Sequence, residues 1–247
     1  MRDISVTAET LPSAYHSALC NLLQWGDWVP CTDWDTKALE ISLTMTVTNP
    51  LKEPMISKFF IGGPRELQQY CMEMLDGILD FEVENGKWAY TYHQRYNDQI
   101  PFILQELRRN PDSRRAVMTI RDKDADMGSD DPACLQHIQY FIRQGKLDCM
   151  VLFRSNDACK ATFMNAFALI MLQKRIAEEL GVEVGIYMHR ANSFHCYEKD
   201  YERLEAFMGR LHKPRPQLTY YYDGDWREEM EEYIPEILEE VEELKCR

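Results

Sequence analysis

Hydrophobic and polar positions recur with two different periods along this chain, and each change of period marks an element. Residues 14–23 form a short helix-like patch ahead of Trp25-Gly26-Asp27-Trp28. Residues 38–47 (ALEISLTMTV) alternate and are rich in β-branched side chains, which predicts a strand ending at Asn49-Pro50. After Gly62-Gly63-Pro64, residues 65–79 place Leu67, Tyr70, Cys71, Met74, Leu75 and Ile78 at helical spacing. Asn85-Gly86 is a turn before the aromatic run WAYTYHQR at 88–95. Residues 99–109 are amphipathic and close at Asn110-Pro111; residues 116–120 read as a short strand.

The most informative stretch is 130–157, DDPACLQHIQYFIRQGKLDCMVLFRSND. Asp130-Asp131-Pro132 breaks structure, and Leu135, Ile138 and residues 140–142 then begin a strand. Gln144-Gly145-Lys146 makes a turn, after which Leu147, Cys149, Val151 and Phe153 alternate with less apolar partners. This hairpin predicts Cys134 at the start of one strand and Arg154-Ser155 at the end of its neighbour. A guanidinium beside a cysteine favours the reactive thiolate; the competing reading of Cys134 is an ordinary buried thiol. Residues 158–180 predict the longest helix, capped by Gly181, with Phe163, Phe167, Ile170 and Met171 as core. A strand at 182–188 returns toward His195, followed by a helix at 197–211, a strand at 218–222 and an acidic helix at 228–245. Strands and helices mix without strict alternation, so the fold class is α+β.

At 247 residues, 45% of them hydrophobic, the chain predicts one globular domain spanning 1–247. A net charge of −13 argues against a general nucleic-acid or membrane-surface role. Any bound phosphate therefore needs arginines gathered locally, and much of the negative charge lies apart in residues 228–243. Eight cysteines include no Cys-x-x-Cys pair, which fits a reduced, cytoplasmic protein and gives no expectation of a metal site. No apolar run approaches membrane-spanning length.

Pro132-Ala133-Cys134, the turn at Gly145-Lys146-Leu147 and Arg154-Ser155-Asn156-Asp157 together resemble the thymidylate synthase family, which includes pyrimidine hydroxymethylases. Asp112-Ser113-Arg114-Arg115, about twenty residues before the cysteine, and Asn165, His195-Cys196-Tyr197 and Pro214-Arg215-Pro216-x-Leu218 after it also fall in the family's order. The similarity runs from about 88 to 220. The resemblance implies a large curved mixed sheet with helices on one face, and a homodimer joined through the sheets. It implies that a Cys134 thiolate adds to C6 of a pyrimidine nucleotide of the dUMP type. C5 then takes a one-carbon unit from methylenetetrahydrofolate, with no metal. Arg154 and Ser155 match the phosphate-binding pair, and Arg154 also steadies the thiolate. Arg114 and Arg115 match the pair lent across the dimer interface to the partner's phosphate. Asn165 matches the residue that reads the base edge, where Asn suits uracil, and His195 and Tyr197 match the sugar-hydroxyl partners. Asp157 matches a residue that orients the ring water network and the folate; on its own it equally suits a helix N-cap.

The chain departs from the family pattern in five places. Leu135 follows the cysteine where the family has histidine, and residues 160–164 (KATFM) replace a glycine-containing stretch. Residues 31–35 (CTDWD) carry no Arg-Thr-Gly phosphate loop. Counting back from Gly77, Tyr70 stands where the family has a catalytic glutamate, with Glu66 and Glu73 one turn to either side. The charged end replaces an apolar tail. These departures leave two further readings: a pyrimidine nucleotide hydroxymethylase, or a nucleotide-binding relative without turnover. A hydrolase pairing Cys134 with His137 or His195 would need a third orienting group, and none is visible.

Overall fold

The structure is a computed structural model that describes residues 1–211, 213 and 217–246. Its strands are β1 (Asp3–Ala8), β2 (Asp27–Cys31), β3 (Thr36–Val47), β4 (Ile56–Ser57), β5 (Val117–Thr119), β6 (Leu135–Arg143), β7 (Lys146–Phe153), β8 (Asn156–Asp157), β9 (Glu183–Tyr197) and β10 (Thr219–Tyr220). Its α-helices are α1 (Leu11–Trp25), α2 (Pro64–Asp76), α3 (Phe81–Glu84), α4 (Tyr92–Tyr96), α5 (Ile100–Arg109), α6 (Thr162–Leu180), α7 (Glu198–Leu211), α8 (Arg227–Glu232) and α9 (Ile234–Lys245).

One mixed sheet runs in the order β1-β3-β9-β7-β6-β5, with β2 on β3 and β8 on β9. The pairs β1–β3, β7–β9 and β8–β9 are parallel and the others antiparallel; β4 and β10 form a separate antiparallel pair. Period-two alternation decides the layering. Ile41, Leu43, Met45 and Val47 of β3, Leu147, Cys149, Val151 and Phe153 of β7, and Tyr187 and Ala191 of β9 are buried in one core with α1 and α6. The opposite face carries half-buried Met150, Leu152, Ile186 and Met188. Register shifts between Ile41 and Leu43, Leu135 and His137, and Leu147 and Cys149 interrupt the ladders; such bulges bend a strand.

The β6–β7 hairpin follows its alternation, and Gln144 and Gly145 both take positive φ, as a tight two-residue turn requires. Several boundaries differ from the pattern. The long helix starts at Thr162 rather than 158, because Asn156 and Asp157 pair with β9 and 158–161 turn first. β9 continues past 188 to Tyr197, so Tyr197 ends a strand and α7 begins one residue later. Residues 88–91 are irregular and lead into α4, not into a strand. Pro235 sits in the first turn of α9, and the acidic end is two helices rather than one. β1 and β2, unforeseen in the sequence pattern, both pair with β3. The Pro214-Arg215-Pro216 segment lies outside the described residues. Among the described residues no helix is long and apolar enough to cross a membrane.

Candidate active site

Cys134 sits one residue before β6, half-buried, with its neighbours fixed by the hairpin. The Arg154 backbone N–H donates to the Cys134 carbonyl at 2.8 Å, continuing the ladder past Leu135 opposite Phe153. Arg154 Nε and Nη2 donate to the carbonyls of Ala133 (3.1 Å) and Pro132 (2.6 Å), so the guanidinium lies along the loop that carries the thiol. A guanidinium has five N–H donors, so three remain for a ligand. Burial pushes the Cys134 thiol above its ordinary range; the charge of Arg154 pulls it down and that of Asp131 pushes it up. Ser155 is half-buried beside Arg154.

Beyond β7 the chain crosses to β9. Asp157 Oδ1 accepts from the backbone N–H groups of Cys159 (2.8 Å) and Lys160 (3.0 Å), so it caps the 158–161 turn rather than α6 itself. Asp157 is paired with His195 across β8 and β9. His195 and Tyr197, two apart on one strand face, bring their rings to 4.9 Å. Burial lowers the His195 pKa from its ordinary value, while Asp157 and Glu40 act in the opposite direction. Tyr197 feels the charges of Asp157, Cys134 and Arg154, which places all four in one electrostatic neighbourhood. A hollow of about 260 Å³ is lined by Trp34, Thr36, Asp157, Lys160, Tyr197 and Lys199.

A larger cavity, about 500 Å³, opens beside the loop that carries Cys134. Tyr70, Glu73 and Met74 from α2, Trp88 through Tyr92 from the irregular segment, and Asp131 line it. That volume falls within the usual range of small-molecule sites. The Tyr90 and Tyr92 hydroxyls meet the backbone at Cys134 and Leu135, tying the aromatic wall to the thiol loop. Asn165, buried on the first turn of α6, accepts a hydrogen bond at Oδ1 from the Tyr70 hydroxyl. Burial pushes the Tyr70 pKa far up, with the charge of Glu73 adding to it. Burial likewise raises the Glu73 carboxyl, against a 2.9 Å hydrogen bond from Gln69.

Asp157 and Tyr197 thus line the smaller hollow, with His195 beside them and Cys134 and Arg154 within electrostatic reach of Tyr197. Asn165 is bonded to Tyr70 in the wall of the larger one. Arg114 and Arg115 are set apart from both. They lie exposed in the loop before β5, near Ala116, whose carbonyl accepts from Tyr140 N. Six residue steps along β6 separate Tyr140 from Cys134, roughly 20 Å of strand. Arg115 is held there by Glu106 at 3.1 Å. Glu106 also pairs with Arg109 and Ser113, and these partners hold its carboxyl down at about 2.

Tyr70, Glu73, Tyr90 and Tyr92 were not singled out as site residues from sequence. The available signals were the aromatic run and the placement of Tyr70 at the family's glutamate position. Leu135, at the family's histidine position, is fully buried core. The charged end is docked elsewhere, with Arg65 of α2 bound to Glu236 (2.8 Å) and Glu240 (2.5 Å) of α9. No group of three His, Cys, Asp or Glu side chains able to hold a metal occurs among the described residues.

The chain is similar to known proteins in both sequence and fold. A protein from Methanocaldococcus jannaschii named "Putative thymidylate synthase" is 31% identical over 214 residues, covering 83% of this chain and 96% of that protein. A "Deoxyuridylate hydroxymethyltransferase" of Pseudomonas phage M6 is 32% identical over 160 residues, 61% of this chain and 45% of the phage protein. Thermostable thymidylate synthase A from Bacillus subtilis superposes with a TM-score of 0.66 at 20% identity, covering 88% of this chain and 93% of that one. The family model described as Thymidylate synthase matches residues 60–238, and with that extent of agreement the chain belongs to the thymidylate synthase family.

Proposed function

We propose that this protein transfers a one-carbon unit from methylenetetrahydrofolate to C5 of a dUMP-type nucleotide through a thiolate adduct of Cys134 at C6. A pyrimidine C5 is a poor nucleophile until a thiolate adds at C6 and turns the ring into an enolate equivalent. The observation that supports this most is the half-buried thiol of Cys134, held between Arg154 and the tyrosine wall of the larger cavity.

Arg154 and Ser155 take the nucleotide phosphate, and Arg154 offers its remaining donors while favouring the thiolate. Asn165 reads the base edge, and His195 and Tyr197 bond the sugar hydroxyl. Asp157 orients water at the ring and the folate from the turn it caps. Glu73, a half-buried carboxylate in the cavity wall, suits the proton that C5 must lose. The faces of Trp88, Tyr90 and Tyr92 suit stacking of a flat pterin ring, which fits the co-substrate the family uses. Arg114 and Arg115 reach a phosphate only from a second copy of the chain. The half-buried apolar sheet face of Met150, Leu152, Ile186 and Met188 is the surface for that homodimer.

The test is release of tritium from 5-tritiated dUMP, with methylenetetrahydrofolate present. Release is expected from the unaltered chain and at least a thousandfold less from Cys134→Ser, on the order of what loss of a nucleophile costs. No release from any pyrimidine nucleotide sinks the reading. A second reading, hydroxymethylation, is favoured by Tyr70 at the glutamate position and by the phage relative's name. Product mass separates the two, since water adds to the exocyclic carbon in one case and hydride in the other.

A further inference from the structure

We propose that Tyr70 sets the base preference of the site by locking the side-chain amide of Asn165 in one orientation. This deepens the function proposed above and rests on it. A primary amide can present either its oxygen or its nitrogen to a ligand, and packing distinguishes the two poorly because they are nearly the same size. Here the hydroxyl of Tyr70, reaching from α2, donates to Asn165 Oδ1 on α6. That fixes which end of the amide faces where. Asn165 Nδ2 donates to no other described group, so it is the donor left for a ligand, and Oδ1 keeps a second lone pair.

The pattern left free is one donor with one acceptor beside it. A 4-oxo pyrimidine such as uracil presents the complement, an acceptor at O4 and a donor at N3–H. A 4-amino pyrimidine such as cytosine presents the reverse and would require the amide to turn over. Turning it would set an NH₂ group against the Tyr70 hydroxyl, whose oxygen can accept from it but whose proton then loses Asn165 Oδ1, its acceptor among the described residues. Burial keeps the phenol protonated across the working pH range, so it remains a donor. An unsatisfied buried hydroxyl is costly, and sites built on hydrogen bonds reject the mismatched partner strongly. Tyr70 touches Asn165 rather than the reacting atoms and is therefore a positioning residue.

The experiment is titration calorimetry of the full chain and of Tyr70→Phe with dUMP and with dCMP, alongside tritium release from both nucleotides. Tyr70→Phe keeps the ring and removes only the hydroxyl. The expected result is a preference for dUMP in the unaltered chain that shrinks roughly tenfold in Tyr70→Phe, chiefly because dCMP binds more tightly once the amide can turn. A packing role alone would weaken both nucleotides together and leave their ratio intact, and an intact ratio overturns the proposal. Should Tyr70→Phe fail to fold, Tyr70→Leu is titrated in its place: a dUMP-to-dCMP ratio about tenfold smaller than in the unaltered chain supports the lock, and an unchanged ratio overturns it. Base-selective binding that depends on Tyr70 but brings no tritium release would uphold the lock and sink turnover. No binding of either nucleotide would sink both.

Discussion

Arg154 and Cys134 influence each other from adjacent strands, and the balance at the sulfur has a readable sign. Burial raises the thiol pKa and the guanidinium lowers it, leaving the thiol above its ordinary value in the free chain. Alkylation of Cys134 by iodoacetamide, followed by mass spectrometry of its peptide, is therefore expected to accelerate toward alkaline pH. In Arg154→Gln the lowering influence is gone, so the profile moves further alkaline and the rate at pH 8 falls. An unchanged profile would mean the charge does not reach the sulfur. The Cys134–Arg154 proximity was legible because two alternating runs around Gln144-Gly145 fix their own register. The bond between Tyr70 and Asn165 was not, since it spans 95 positions and depends on how α2 leans on α6.

The end of α2 shows how an element boundary shapes the cavity. Gly77 takes φ +64° there and turns the chain toward α3. A Cβ at Gly77 would lie 2.2 Å from His93 Nδ1 and 2.5 Å from Asp80 Oδ2, the pair that pins α4 under the aromatic wall at 2.6 Å. Gly77→Ala is expected to destabilise the protein by roughly 2–3 kcal/mol, from the left-handed backbone and the displaced pair together. Urea unfolding checks this, and a change under 1 kcal/mol would show that the turn yields easily. Helices α2 and α5 were visible as 3.6-residue periods because each buries one stripe, whereas α6, buried nearly all round, showed as a long apolar run. The start of α6 was misread because an acidic residue before an apolar run looks like a cap. Asp157 does cap, but its turn precedes the helix and its backbone belongs to the sheet. β8 is too short to declare a period and tertiary pairing alone makes it a strand, whereas β1 does alternate, at Ile4, Val6 and Ala8, and was legible in principle.

The molecule as a whole holds histidines that folding keeps neutral. His16, hydrogen-bonded to Ser57 at 2.7 Å, has its pKa lowered by burial from 6.5 to about 4, and His189, buried beside Phe153, to about 3. The unfolded chain binds these protons more readily than the folded one. Their contribution is thus complete above about pH 6.5 and is lost as pH falls toward 4, at up to about 1.4 kcal/mol per pH unit for each group. Glu106, held down at about 2 by Arg109 and Ser113, loses its contribution only below about 4.5, so the window above that belongs to the histidines. Urea midpoints at pH 7 and pH 5 are expected to differ, and His16→Gln is expected to narrow the gap. Equal slopes in both proteins would remove His16 from the account.

The two hollows beside Cys134 each have an indole at the rim, Trp88 on the larger and Trp34 on the smaller, in a chain with only five tryptophans. The protein therefore carries its own optical labels. Emission should quench when a flat ring settles against Trp88, and replacing either indole by phenylalanine should silence one compartment while the other still reports. Order of addition could then be followed in a stopped-flow instrument with no dye attached.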